Sequence, residues 1–158
     1  MKDGPVFSGP ILIRGGKAMA ALTFAAIDVG SFEVEMGIYE ISNRNRIRKL
    51  DHIRHVTALG SDTYNNGKIS YEMVEELCDV LAGFAGIMKS YKVTEYRAYA
   101  TSAVREADNM DLVLDVIEHT TGIRVQVLSN SEQRYISFKG LVAKYSDFHQ
   151  VVSKNTAF

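Results

Sequence analysis

Three short stretches carry residues whose types and spacing could handle a phosphate group. In Asp28-Val29-Gly30-Ser31 a carboxylate is followed by a glycine and a hydroxyl. Such an oxygen donor, beside backbone and hydroxyl donors on a tight turn, suits an Mg²⁺-bound phosphate. In Thr101-Ser102-Ala103-Val104-Arg105 two hydroxyls and an arginine meet at a helix start. Together these make an anion site. In Ser129-Asn130-Ser131-Glu132-Gln133-Arg134 the residue offered is Glu132, an acid–base candidate at another helix start. Read alone, the first stretch is better described as an ordinary hairpin with an acidic turn. The case rests on whether one fold brings the three together.

The surrounding elements predict that it does. Phe24 to Val29 is a strand-forming apolar run, and Phe32 to Glu40 alternates polar and apolar like the second arm of a hairpin. Arg44-Asn45-Arg46 reads as a turn into a third strand, Ile47 to Leu59, although Ile47, Leu50, Ile53 and Val56 recur at a helix-like interval of three. Arg46, Arg48, Lys49 and Arg54 on that segment could meet phosphates, but a solvated sheet edge is the favoured reading. Gly60 to Gly67 is a loop by composition. Ser70 caps a long helix to about Lys89, with Val74, Leu77, Cys78, Leu81, Ala85 and Met88 on one face, so Cys78 reads as packing. A strand over Tyr96–Ala100 follows, with a helix from Ala103 that Asn109 interrupts. The next helix, Met110 to Thr120, turns Leu112, Val113, Val116 and Ile117 inward and stops at Gly122. A strand over Ile123–Leu128 and a last helix to about Tyr145 complete the chain. The order β-β-β-α-β-α-β-α gives an α/β mixed sheet covered by helices. In such sheets ligands gather at the carboxyl ends of the strands, where all three stretches fall.

The totals bound the rest. At 158 residues, 46% hydrophobic and 23% charged, the chain fits one globular domain with a real core. A net charge of -1 gives no electrostatic case for nucleic acid or for an anionic membrane. A single cysteine excludes an intrachain disulfide and a cysteine-cluster metal site. His52 and His55, three apart in a strand, should point to opposite faces. No apolar run is long enough to span a membrane and no signal-peptide pattern is seen, so the expected location is cytoplasmic. Residues 1–19, with Pro5, Pro10 and four glycines, read as an irregular lead-in, and Met19 offers an alternative start. The domain is expected over residues 20–146, followed by a tail over 147–158.

Taken in order, Ala26–Ser31, Leu59-Gly60, Gly67–Ser70, Ala100–Asn109, Thr121–Ile123 and Ser129–Arg134 resemble the exopolyphosphatase / guanosine pentaphosphate phosphatase (Ppx/GppA) family over about residues 22–145. Ala100–Asn109 is the most specific piece, because the first motif is shared across the actin, sugar-kinase and chaperone ATPases. The resemblance implies a ribonuclease H-like (actin-like ATPase) subdomain, one wall of a cleft in which Mg²⁺-assisted attack of water removes a terminal phosphate. It implies Asp28 as the metal carboxylate, and Gly30, Ser31, Thr101, Ser102 and Arg105 as phosphate-binding residues. The implied substrates are polyphosphate or a phosphorylated guanosine nucleotide. Such roles suit phosphoryl transfer, which needs positioning and charge neutralisation above all.

Three departures from the family pattern stand out. Phe32 and Glu33 replace the usual asparagine and serine, and both disfavour a close polyanion unless Glu33 meets Mg²⁺. The catalytic glutamate's position falls on Gln133 when counted without a gap from Ser129, and on Glu132 when counted back from Arg134 with a one-residue deletion. The gapless register is favoured, and a glutamine there cannot serve as a general base. Last, no Asp-x-Gly-Gly-Gly loop occurs, so the second phosphate loop and second subdomain are missing. The chain alone is therefore expected to be inactive, with a face left for that subdomain or for self-association. The rival expectation is a non-catalytic phosphate- or nucleotide-binding module. A sugar-kinase or acetate-kinase-like phosphotransferase shares the first motif only.

Overall fold

A computed structural model of the chain describes residues 22–42 and 46–144. Its strands are β1 (Leu22–Val29), β2 (Glu33–Ile41), β3 (Ile47–Val56), β4 (Glu95–Ala100) and β5 (Gln126–Val127), in sheet order β3-β2-β1-β4-β5. Hairpins join β1, β2 and β3 as antiparallel neighbours, whereas β1, β4 and β5 run parallel. Alternation along the strands sorts the two faces. Ala25, Ile27, Val29, Val34, Met36 and Ile38 are buried beneath helices. Ala26, Asp28, Glu35, Gly37, Tyr99 and His52 occupy the opposite face. The Tyr39 ring lies across Gly37, where a Cβ would come 2.6 Å from its phenol oxygen and push the ring aside.

The covering layer is α2 (Tyr71–Ser90) and α4 (Met110–Thr121). Ser70 caps α2, its Oγ accepting from the Met73 N–H, and Asp62 accepts in turn from the Ser70 N–H at 2.8 Å. Val74, Leu77, Cys78, Leu81, Phe84 and Met88 form the buried stripe of α2, and burial pushes the Cys78 thiol up from its ordinary pKa. Gly122 ends α4 in the left-handed conformation, at φ +71. His52 and His55 do face opposite ways: His52 bonds Glu35 on the open face, and His55 bonds Glu76 of α2 on the covered one.

Several elements differ from the sequence reading. Residues 59–66 form a helix, α1 (Leu59–Asn66), where composition suggested a loop. Its polar residues face solvent, while Leu59, Gly60 and Thr63 are buried on one side, so tertiary packing overrides a weak local propensity. Leu59 accordingly belongs to α1 and not to β3. The helix begun at Ala103 is a four-residue turn, α3 (Ser102–Arg105), and neither Thr101 nor Ser102 caps it through its side chain. Leu112 is 63% exposed, so the inward face of α4 is narrower than expected and centres on Val113 and Ile117. Only Gln126 and Val127 pair in β5, although Ile123, Val125 and Leu128 are buried around it. The last helix is α5 (Asn130–Lys144). The expected lead-in over 1–19, the turn residues Arg44 and Asn45, and the tail over 147–158 lie outside the described residues.

Candidate functional site

The open face of the sheet and one side of α5 enclose a groove of about 320 Å³. Its lining takes Asp28 from the end of β1, Glu35 and Tyr39 from β2, His52 from β3, and Tyr99 and Thr101 from β4 and the loop after it. Gln133, Ile136 and Ser137 close it from α5. Parallel pairing fixes this convergence: Asp28 stands opposite Tyr99, and Val29 opposite Ala100, so β1 and β4 end level. The Leu128 N–H donates to the Ala100 carbonyl at 2.9 Å and brings the third loop to the same edge.

Just beyond the groove lie the hydroxyls. Ser31 Oγ and Ser102 Oγ are 3.2 Å apart, although 71 residues separate them in sequence. The Tyr64 hydroxyl joins both, donating to Ser102 Oγ at 2.9 Å and lying 3.2 Å from Ser31 Oγ. Gly30 sets the turn beneath them: its N–H donates to the Glu33 carbonyl at 3.0 Å, and a Cβ on it would come 2.9 Å from that oxygen. Arg105 reaches away from the serines. Its Nη1 donates to the Leu128 carbonyl at 2.7 Å and its Nη2 to Asn130 Oδ1 at 2.8 Å. In this state the guanidinium fastens the third loop to the second.

The two residues that could occupy the catalytic glutamate's position part company. Glu132 Oε2 accepts from the Ser129 N–H at 2.9 Å and from Ser129 Oγ at 2.7 Å, while the Glu132 N–H returns a bond to Ser129 Oγ. That reciprocal pair is a capping box on α5. The hydrogen bonds from Ser129, side chain first and then backbone, hold the Glu132 carboxyl below its ordinary pKa. Glu132 is absent from the groove lining, and Gln133 is part of it.

Charge is uneven across this face. Asp28 stands directly opposite Glu35 in the antiparallel pair. Partial desolvation within the groove raises the Asp28 pKa, and repulsion from Glu35 and then Glu33 adds to it. Glu35 is held low, chiefly by the 2.9 Å hydrogen bond from His52 Nε2 and further by Arg54. Glu33 pairs with Arg54, so both carboxylates beside Asp28 already have cationic or hydrogen-bonding partners. Asp28 itself remains solvent-accessible. No group of three or more His, Cys, Asp or Glu side chains arranged for a metal occurs among the described residues. The donors nevertheless fit Mg²⁺, which often takes one or two carboxylates and completes its shell with water and substrate oxygens. Surplus negative charge at Asp28 is what such a cation would relieve.

Two site residues went unnoticed in the sequence. Tyr64 gave no local signal, because its partners lie 33 and 38 residues away. In the sequence Asn109 reads as a helix interruption and as the end of the Ala100–Asn109 motif, with no sign of its partner. Its side-chain amide accepts from the Ile69 N–H at 3.0 Å and donates to the Ile69 carbonyl at 2.8 Å, holding the α1–α2 junction against the loop that carries Thr101 and Arg105.

The chain is similar to known proteins in sequence and in fold. Exopolyphosphatase 1 of Mycobacterium leprae is 30% identical over 117 residues, covering 74% of this chain and 34% of that protein. A guanosine-5'-triphosphate,3'-diphosphate pyrophosphatase of Aliivibrio fischeri is 25% identical over 118 residues, 75% of this chain and 24% of that protein. The chain thus spans about a third or less of these relatives. The crystal structure of the Aquifex aeolicus Ppx/GppA family member superposes with a TM-score of 0.67 at 26% identity, covering 70% of this chain and 36% of that one. The sheet is accordingly the mixed one expected of an actin-like, ribonuclease H-like subdomain. A family model for the Ppx/GppA phosphatases matches residues 38–153, which include the second and third loops and begin after the first. Matched over that length and sharing its fold with a solved member, the chain belongs to the Ppx/GppA phosphatase family.

Proposed function

We propose that this subdomain is one wall of a phosphohydrolase cleft that acts on phosphoanhydride bonds, in polyphosphate or in guanosine pentaphosphate. The observation that carries the reading is the groove that gathers Asp28 from the end of β1, Thr101 from the β4–α3 junction and Gln133 from the first turn of α5. In this reading Asp28 holds Mg²⁺ together with substrate oxygens, and the ion when bound neutralises charge on the phosphates. Gly30, Ser31, Thr101 and Ser102 bind the phosphate chain by backbone and hydroxyl donation. Arg105 positions the Leu128–Asn130 loop, and so sets where Gln133 enters the groove. Gln133 can orient a water through its amide but cannot take its proton, so Gln133 itself is not the general base. The remaining length of the relatives would supply the second wall, and the isolated chain should bind without turning over. With Mg²⁺ present, tripolyphosphate should raise the melting temperature of the wild type, and Asp28→Ala should remove the Mg²⁺ dependence. Phosphate release should stay at background. No response to tripolyphosphate would overturn the phosphate reading, and robust release that Asp28→Ala abolishes would overturn the inactivity.

A second reading, a non-catalytic binding module, is favoured by one specific observation: Glu132 is engaged as a helix cap while Gln133 lines the groove. In a longer protein that includes a second subdomain, Gln133→Glu separates the two. A large gain in hydrolysis supports lost catalysis, and a parent already active with Gln133 excludes the binding-module reading.

A further inference from the structure

We propose that Tyr64 is a third hydroxyl ligand of the phosphate site, donating to the same phosphoryl group as Ser31 and Ser102; this rests on the phosphate reading given above. The three hydroxyls close a triangle, with separations of 3.2, 3.2 and 2.9 Å. Each carries one O–H and can both donate and accept, so without a ligand they satisfy one another. A phosphoryl oxygen is a stronger acceptor than a neutral hydroxyl, and donors that face a shared point will turn to it. No carboxylate takes part in the triangle to repel such a group.

The backbone holds Tyr64 in place for this role. The Gly60 N–H donates to the Ser31 carbonyl at 2.8 Å, and Thr63 Oγ1 donates to the Ala103 carbonyl at 2.8 Å. These bonds pin α1 to Ser31 itself and to the residue that follows Ser102. Gly60 leaves room for the Tyr64 ring one turn later: a Cβ there would sit 3.1 Å from Tyr64 Cε2 and 3.1 Å from Ser31 Cβ. The ring is half exposed and its hydroxyl points at the serines, although an ordinary surface tyrosine would leave that hydroxyl to water.

Tyr64→Phe keeps the ring and removes only the hydroxyl. In calorimetric titration of the 158-residue chain with tripolyphosphate and Mg²⁺, Tyr64→Phe should weaken binding about tenfold, the lower end for one hydrogen bond to a charged acceptor. Ser31→Ala should weaken it comparably. If Ser31→Ala weakens binding but Tyr64→Phe binds equally or more tightly, Tyr64 is no ligand and the phosphate reading survives. If the wild type fails to bind, both ideas fall. A measurement that needs no variant is the ¹³Cζ tyrosine resonance of Tyr64 in the wild type. It should move with the same midpoint as the Ser31 and Ser102 amides, and an unmoved resonance while those amides titrate refutes the assignment.

Discussion

Asp28→Asn should make the protein more stable at neutral pH while removing its affinity for Mg²⁺. Asp28 and Glu35 are direct partners across the β1–β2 ladder, a placement that puts side chains roughly 5 Å apart. Two unit charges at that distance repel by about 0.8 kcal/mol in water and by about 3 kcal/mol at an effective dielectric of 20. Solvent access to Asp28, together with the His52 and Arg54 contacts of Glu35, places the pair near the low end. The expected gain is about 0.5–1 kcal/mol, or roughly 2–4 °C in Tm for a domain of this size. Its sign follows from linkage. The Asp28 pKa is raised in the folded state, so its ionisation opposes folding. That penalty is absent below the ordinary carboxylate pKa of about 4 and complete above the raised folded value. The advantage of Asp28→Asn should therefore vanish near pH 3 and reach its full size by pH 7. Glu35 behaves oppositely: its lowered pKa stabilises above the ordinary value and is lost as pH falls through the folded one. Mg²⁺ at ten times its dissociation constant should add about 1.4 kcal/mol to the wild type and nothing to the variant, closing or reversing the gap. Melts at pH 3, 5 and 7 with and without Mg²⁺ check this. A variant less stable than wild type at pH 7, or a gap that persists unchanged at pH 3, would refute the electrostatic account.

Other substitutions test the scaffold. Asn109→Ala removes both side-chain bonds to buried Ile69 and should cost about 2–3 kcal/mol, read as a lower denaturant midpoint at unchanged slope. Ser129→Ala breaks the capping box and should cost about 1 kcal/mol, with hydrogen exchange accelerated at the Asn130–Gln133 amides and unchanged in α2. Thr57 Oγ1 is buried with no hydrogen-bond partner among the described residues, so Thr57→Val should be neutral or stabilising by up to about 1 kcal/mol. A loss beyond 1 kcal/mol there would reveal a partner for that hydroxyl.

Much of the fold was legible because its signals are local. Ser70 as a cap, the α2 stripe through Leu77 and Leu81, and Gly122 as a stop all depend on residues within a few positions of one another. The ends of β1 and β4 were legible as well, since their runs break at Gly30 and Thr101. What stayed hidden depends on distant partners. The eight residues of α1 are polar enough to read as a loop, and only burial of Leu59 and Thr63 against the rest of the chain makes them a helix. Tyr64 and Asn109 find their partners 33 to 40 residues away, beyond any periodicity. Glu132 is a different case. Its spacing of three from Ser129 is the capping-box signature, visible in the sequence but first read as acid–base chemistry.

Binding of a phosphate chain at the edge where β1, β4 and α5 converge can be mapped by following amide shifts of the ¹⁵N-labelled chain during titration with Mg²⁺ and tripolyphosphate. Saturable shifts are expected at Gly30, Ser31, Thr101, Ser102 and Gln133, with Glu76 and His55 on the covered side unmoved. Shifts confined to the basic residues of β3, Arg48, Lys49 and Arg54, or no saturable shift in any of the three loops, would contradict it.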